Sequence, residues 1–247
     1  MCRDSTTKCL IALGGNTGPV EQNFVLALDK LADADCHVVT RSRCYQSAPM
    51  GSDAGTTFVN AAALVETVLS PLELLDLLQE IENACGRIRS VHWGPRTLDL
   101  DLLFYGQQVL QSERLTVPHP GLWYRRFVLE PLVEIAPCWK HPVGGQTVEQ
   151  LYERLLGRPL VIEVSGTEGL PTVPDRYPAG TVEIRPAVVE QRKSNAARNV
   201  FLRLHVKSQS APASVARVSG CSGFEMTAES DGVGKVIDAV LVAALGH

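Results

Sequence analysis

The sequence lacks any C-x-x-C pair. Its seven cysteines are scattered from Cys2 to Cys221, and none sits at the spacing of a zinc site. An odd, dispersed set is what a reducing compartment tolerates, so these cysteines are expected to be small buried hydrophobes. There is little charge imbalance either. Lys and Arg number 23 against 27 Asp and Glu, a net charge of −4, which excludes the broad basic surface that nucleic acid or an anionic membrane requires. No long apolar run occurs. The opening "MCRDSTTKCLIALGG" is too short in apolar residues for a signal peptide or a membrane span, so a cytoplasmic location is expected. Internal repeats and low-complexity tracts are missing. The "GGNTG" run at Gly14–Gly18 has neither a Walker lysine nor G-x-G-x-x-G spacing, so it is expected to form a tight strand-to-helix turn rather than a phosphate loop.

What remains is an ordinary globular composition, 45% hydrophobic and 20% charged over 247 residues. That length suits one large domain, or a domain with a modest appendage. Lys8–Leu13, His37–Tyr45, Phe58–Thr67 and Leu98–Tyr105 read as strands. Val20–Leu31 carries Phe24, Leu28 and Leu31 at helical spacing. A second helix is signed by Ser70 as N-cap, Pro71 at its first position and Glu73 completing a capping box, with Gly86 to end it. The order βαββαβ predicts an α+β, ferredoxin-like fold, an antiparallel sheet with helices packed on one face. Helices are also expected over Phe127–Ile135 and Thr147–Leu156. Residues 165–180 are rich in Gly and Pro and read as a linker between a domain over 1–164 and a small C-terminal α/β appendage over 181–247. Within that appendage Asn199–Val206 alternates as a strand. Val233, Val236, Ile237, Val240, Leu241 and Ala244 mark a closing amphipathic helix.

"WGPRTLDLDLLFYG" places Asp99 and Asp101 inside an apolar strand. Leu98, Leu100, Leu102 and Phe104 are expected to share the core face, and both aspartates the opposite one. Positions i and i+2 stand roughly 6.5–7 Å apart along a strand. Two carboxylates leaning together from there can flank a pair of hard cations. Magnesium favours one or two carboxylates with substrate phosphates completing the shell. Residues 87–126 also hold six arginines, with His92 and His119, against three acids. Guanidinium groups match phosphate oxygens. Together these describe a site for a metal-chelated polyphosphate. Set alone, D-x-D is a weak signal, and its plain reading is a half-exposed edge with two solvated aspartates.

These residues resemble a known family. "WGPRTLDLDLLFY", followed by "RLTVPHP" and "RRFVLEPLVEIAP", and preceded by "IALGGNTG", "YQSAPMG", "FVNAAALVET" and "QEIENACGRIR", is similar in order and content to 6-hydroxymethyl-7,8-dihydropterin pyrophosphokinases of folate biosynthesis. The resemblance runs from about Leu10 to Leu156. It implies ATP and the dihydropterin as small-molecule substrates, with two Mg²⁺ ions on Asp99 and Asp101. It implies a catalytic set of Arg89, Arg96, Asp99 and Asp101, and ATP contacts from Gln79, Glu82, His92, Trp93, Arg114, Thr116, His119 and Arg125 besides Arg89 and Arg96. Pterin contacts would come from Ser47, Ala48, Met50, Phe58, Asn60, Trp93 and Phe127. Ala48 stands where the family usually has proline, and His92 where it usually has arginine. A neutral histidine is a weaker phosphate ligand, which implies slower turnover or a shifted pH optimum. No nucleic-acid or membrane partner is expected, and the chain is expected to be a monomer or a weak homo-oligomer formed through its C-terminal part.

Overall fold

In a computed structural model the described residues are 6–48, 56–86, 96–166, 170–173, 177–187, 200–207, 217–219, 223–229 and 233–245. Met50, Arg89, His92 and Trp93, expected at the site, lie outside them. The chain runs β1 (Thr7–Gly15), α1 (Val20–Ala32), β2 (Cys36–Arg41), β3 (Tyr45–Ser47), β4 (Phe58–Thr67), α2 (Pro71–Ala84), β5 (Asp99–Tyr105), β6 (Leu110–Gln111), β7 (Thr116–Val117), α3 (Arg126–Ile135) and α4 (Val148–Leu156). It continues β8 (Leu160–Ser165), β9 (Val182–Pro186), β10 (Val200–Lys207), β11 (Arg217–Ser219), β12 (Gly223–Glu229) and α5 (Val233–Leu245).

Local chemistry sets these boundaries. Ser70 and Glu73 close the capping box of α2 in both directions, at 3.4 and 2.8 Å, satisfying two of the amide donors that a helix start leaves open. Thr147 and Gln150 do the same for α4. The strand expected over His37–Tyr45 is two strands, because Ser42 interrupts it. The Ser42 hydroxyl accepts from the Ala62 amide at 2.9 Å and donates to the Arg43 carbonyl. A side-chain oxygen thereby takes a place in the ladder that a backbone carbonyl would otherwise fill.

The first sheet is antiparallel in the order β2-β4-β1-β5, with β3 sharing the β4 edge with β2. On one face α1 and α2 bury Phe24, Leu31, Leu74 and Leu78 against Ile11, Leu13, Ala63 and Leu100. The other face is not open as expected, because α3 lies over it, packed against Leu10, Ala62 and Phe104. Phe104 was expected beside Leu102 on the α1/α2 side. It faces α3 because β5 carries a bulge: Ile11 pairs with Leu102 and Leu10 with Phe104, leaving Leu103 as an extra residue. One inserted residue moves every later side chain to the opposite face.

Beyond α4 the chain builds a second sheet, β11-β12-β10-β8-β9, parallel except for β11. β8 belongs to it, so the second sheet starts at Leu160, inside the stretch assigned from sequence to the first domain. Tyr177, within the stretch read as a linker, is tied in as well. It is buried and its hydroxyl donates to Asp238 on α5 at 3.3 Å. One face of this sheet joins α3, α4 and α5 in a single apolar core with the outer face of the first. On its other face Glu163 lies between Arg185 and Arg203 of the flanking strands, each at 2.9 Å. Pairing of this kind is what lets a carboxylate lie nearly buried.

His141 is buried beside Phe104, edge-on at 5.8 Å between ring centres. Its Nδ1 accepts from the Val143 and Gly144 amides, which places the proton of the neutral ring on Nε2. Burial pushes its pKa down to about 4. The unfolded chain therefore binds the extra proton first on acidification, so stability holds above the ordinary histidine range and falls as pH drops towards 4. Wild type should lose up to about 3 kcal/mol relative to His141→Asn between pH 7 and pH 4. Urea unfolding of both proteins at each pH checks this. A stability difference that does not change with pH would refute it.

Candidate active site

The α3 side of the first sheet carries the residues that matter. Register aligns Asn60 with Gly14 on β1 and Gly14 with Asp99 on β5. Neighbouring strands lie about 4.8 Å apart, so Asn60 and Asp99 are separated by roughly 10 Å, with no side chain between them. One row further, Ala12 pairs with Asp101. Small residues on the central strand thus leave a trough between the amide and the two carboxylates. Asn60 is 6% exposed, and its Nδ2 donates to the Ser47 hydroxyl of β3 at 2.9 Å. Its Oδ1 lies over Gly14, 3.6 Å from where a Cβ would stand, so an acceptor oxygen faces the trough. Phe58 shares that face of β4, Ala48 follows Ser47 directly, and Phe127 enters from the first turn of α3.

Among the described residues the carboxylates meet Arg96, Arg125 and His119. Arg96 pairs directly with Asp99 Oδ2. Arg125 Nη1 and His119 Nε2 stand 3.7 and 3.8 Å from Asp101 Oδ2. Those distances are too long for hydrogen bonds, and Asp101 accepts none from the described residues. His119 Nδ1 accepts from the Gly121 amide at 3.1 Å, so the neutral ring carries its proton on Nε2, towards Asp101. Burial holds its pKa below the usual histidine value; Asp101 and Asp99 oppose that and Arg125 reinforces it. The Arg125 guanidinium sits 6.0 Å from both the Tyr124 and Phe127 ring centres. Its Nε is buried and has no hydrogen-bond partner among the described residues. A carboxylate that accepts no hydrogen bond from the described residues, beside a buried guanidinium N–H with no acceptor among them, suits both a cation and an anionic oxygen. Two carboxylates, with no third acidic ligand among the described residues, suit Mg²⁺ arriving with phosphate groups.

The segment matching a protein-family model is 10–137, and that model describes 7,8-dihydro-6-hydroxymethylpterin-pyrophosphokinase. The chain belongs to this family. It is 51% identical over 154 residues to the 2-amino-4-hydroxy-6-hydroxymethyldihydropteridine pyrophosphokinase of Haemophilus influenzae, covering 61% of this chain and 94% of that one. To the Synechocystis protein of the same name it is 47% identical over 147 residues, covering 59% of this chain and 75% of that one. A solved Plasmodium falciparum HPPK-DHPS is a distant likeness, at 16% identity and a TM-score of 0.48, covering 61% of this chain. This chain spans 43% of that solved chain. The family-model match ends at Pro137, so the second sheet and α5 lie outside that model.

Within the pyrophosphokinase segment, one residue expected to face ATP is placed elsewhere. Glu82 is 1% exposed and accepts from the Leu100 amide at 2.7 Å. It grips β5 between the two aspartates rather than lining the trough. Arg114 pairs with Asp76 of α2, one turn before Gln79, and holds the β6–β7 hairpin with Thr116 against that helix. Gln79 is half-buried on the same helix.

Two supporting residues escaped the sequence reading. Asn16, inside the "GGNTG" turn, accepts from the Arg96 amide at 2.8 Å and donates its own amide to the Arg96 carbonyl at 2.9 Å. It thereby fixes the backbone of the arginine that holds Asp99. Gly121 is the second: a Cβ there would stand 2.5 Å from Arg125 Nε and 2.7 Å from Cζ. Gly121→Ala should leave the fold intact, push the guanidinium aside and weaken ATP binding about tenfold, the loss of one charge-assisted contact. Calorimetric titration with MgATP checks this, and an unchanged affinity would contradict it.

Proposed function

We infer that this chain transfers the β,γ-pyrophosphoryl group of ATP to the hydroxymethyl oxygen of 6-hydroxymethyl-7,8-dihydropterin, giving the pterin diphosphate and AMP in tetrahydrofolate biosynthesis. The observation that carries the reading is the trough itself, with Asn60 at one end and the Asp99–Asp101 pair with its guanidinium groups at the other. A flat heterocycle held at Asn60 points its substituent across Gly14 towards the carboxylates. The asparagine Oδ1 accepts from the donor edge of the ring, while Phe58 and Phe127 supply stacking surface. The family resemblance assigns Ser47, Ala48 and Met50 to its rim and Trp93 to both substrates.

Two Mg²⁺ ions held by Asp99 and Asp101 would neutralise the triphosphate and orient the β-phosphorus for in-line attack. Arg96, Arg89, His92, His119 and Arg125 clamp the phosphates, while Gln79, Arg114 and Thr116 hold the nucleoside end. The hydroxymethyl oxygen bonds to the β-phosphorus, and the bond from that phosphorus to the α,β-bridging oxygen breaks. AMP leaves, and the hydroxyl proton passes to solvent. No side chain need act as base, because such transfers rest on positioning and charge stabilisation. Neutral His119 fits a role as donor: its Nε2–H bonds a phosphate oxygen without adding a proton-transfer step.

The order β1-α1-β2-β4-α2-β5 in the first sheet, with β3 added on the β4 edge, supports a ferredoxin-like description. A cytoplasmic, monomeric or weakly self-associating enzyme is the simplest form consistent with the sequence. Incubating the protein with ATP, Mg²⁺ and the dihydropterin tests the function. AMP should form in equal amount to pterin diphosphate. A protein that binds both compounds yet makes no AMP would overturn the assignment.

A further inference from the structure

The segment from His119 to Arg125, which carries two of the phosphate-clamp residues, is anchored at both ends by β-bulges, one from each sheet. In the first sheet the extra residue of β5 is Leu103, and its carbonyl accepts from the His119 amide at 2.9 Å. In the second sheet β10 pairs Val200 with Val161 but Leu202 with Ile162, so Phe201 is the extra residue. A bulge re-aims the side chain it carries. Phe201 and Leu202, although adjacent in sequence, both enter the shared core at 4% and 0% exposure. The Phe201 ring meets that of Trp123 at 5.7 Å between centres. The Phe201 carbonyl accepts from Arg154 of α4 at 3.4 Å. Trp123, 2% exposed, packs edge-on against Tyr124 at 4.9 Å. The Tyr124 ring in turn flanks the Arg125 guanidinium.

We propose that the C-terminal sheet is a positioning element for the nucleotide-phosphate clamp, acting through Phe201 on Trp123 and so on Arg125. Phe201 is a positioning residue; it touches no reacting atom. The inference rests on the pyrophosphokinase reading for what the clamp binds. Its structural basis is independent of that reading. Phe201 of β10 supplies a wall against which the Trp123 ring rests. Truncating Phe201 removes that wall and gives the Trp123 ring room to turn. A clamp displaced by about 1 Å can lower turnover up to about 100-fold.

The test uses the full chain carrying Phe201→Ala and Phe201→Leu, with MgATP and dihydropterin affinities measured separately and AMP release followed in the same preparations. Phe201→Ala should weaken ATP binding about tenfold and slow turnover, with a much smaller change in pterin affinity. Phe201→Leu should recover most of both. A merely structural contact would lower the folded fraction and melting temperature while the remaining protein bound each substrate as wild type does; that result overturns the proposal. If Phe201→Ala does not fold, the same comparison is read on Phe201→Leu, where about threefold weaker ATP binding supports the proposal and unchanged affinity overturns it. Failure of the enzyme assignment looks different: wild type itself then releases no AMP, while the ATP-affinity comparison still decides the positioning role.

Discussion

Asp101→Asn and Asp99→Asn should each slow AMP release on the order of 1000-fold, because an amide cannot neutralise the charge that a carboxylate–cation pair takes off a triphosphate. The two variants should differ in stability. Asp101 accepts no hydrogen bond from the described residues, and its cationic neighbours stand 3.7 and 3.8 Å away, so its removal leaves the fold almost untouched. Asp99 is the direct partner of Arg96, and its removal frees that guanidinium. Dihydropterin affinity should survive both changes, since Asn60 lies two strands away. AMP release by a coupled assay, pterin titration by fluorescence and thermal melts separate these effects. Turnover within tenfold of wild type in either variant would contradict the account.

Glu82→Ala should have the second-largest effect, and it should be seen first in stability. The carboxylate is buried and accepts from the Leu100 amide at 2.7 Å. Deleting it leaves a buried N–H without its acceptor, at a cost of about 3 kcal/mol. For a chain of this size that corresponds to a fall of roughly 6–12 °C in melting temperature. Leu100 lies between Asp99 and Asp101, so loosening β5 there should also lower kcat more than it raises KM for ATP. Glu82→Gln keeps an acceptor oxygen and should recover most of the loss. The family resemblance points the other way, towards a nucleotide contact. On that reading Glu82→Ala would weaken ATP binding at an unchanged melting temperature. Melts and ATP titrations on the two variants distinguish the roles.

Much of the first sheet is legible in the chain because local signals agree there. The Ser70–Glu73 box and Pro71 start α2 where the structure starts it, and Phe58–Thr67 is a strand from end to end. The same-face pairing of Asp99 and Asp101 needs only the two-residue period of a strand. What was not legible depends on an event that breaks that period. The bulge at Leu103 sends Phe104 to the α3 side, and the one at Phe201 puts two adjacent residues into one core. Neither leaves a glycine or proline in the sequence to announce it. Ser42 breaks an apparently continuous strand through a hydroxyl bond to a residue 20 positions away. Glu82 shows the same limit at the site. Helical spacing places it on α2 near Gln79, but whether a carboxylate there faces ligand or a backbone amide is decided by how α2 lies against β5. The start of the second sheet at Leu160 was hidden because β8 pairs with strands about 20 and 40 residues further on.

The central claim is that Asp99 and Asp101 are held side by side because divalent cations and nucleotide phosphates neutralise them. Manganese accepts the same oxygen ligands as magnesium and is visible by electron paramagnetic resonance. Titrating Mn²⁺ into the protein with a non-hydrolysable ATP analogue, for wild type and the Asp99→Asn/Asp101→Asn double variant, tests this most directly. The account predicts two tightly bound ions per complex in wild type, and in the double variant no more than the ion the nucleotide carries itself. Equal stoichiometry and affinity in the two proteins would contradict it.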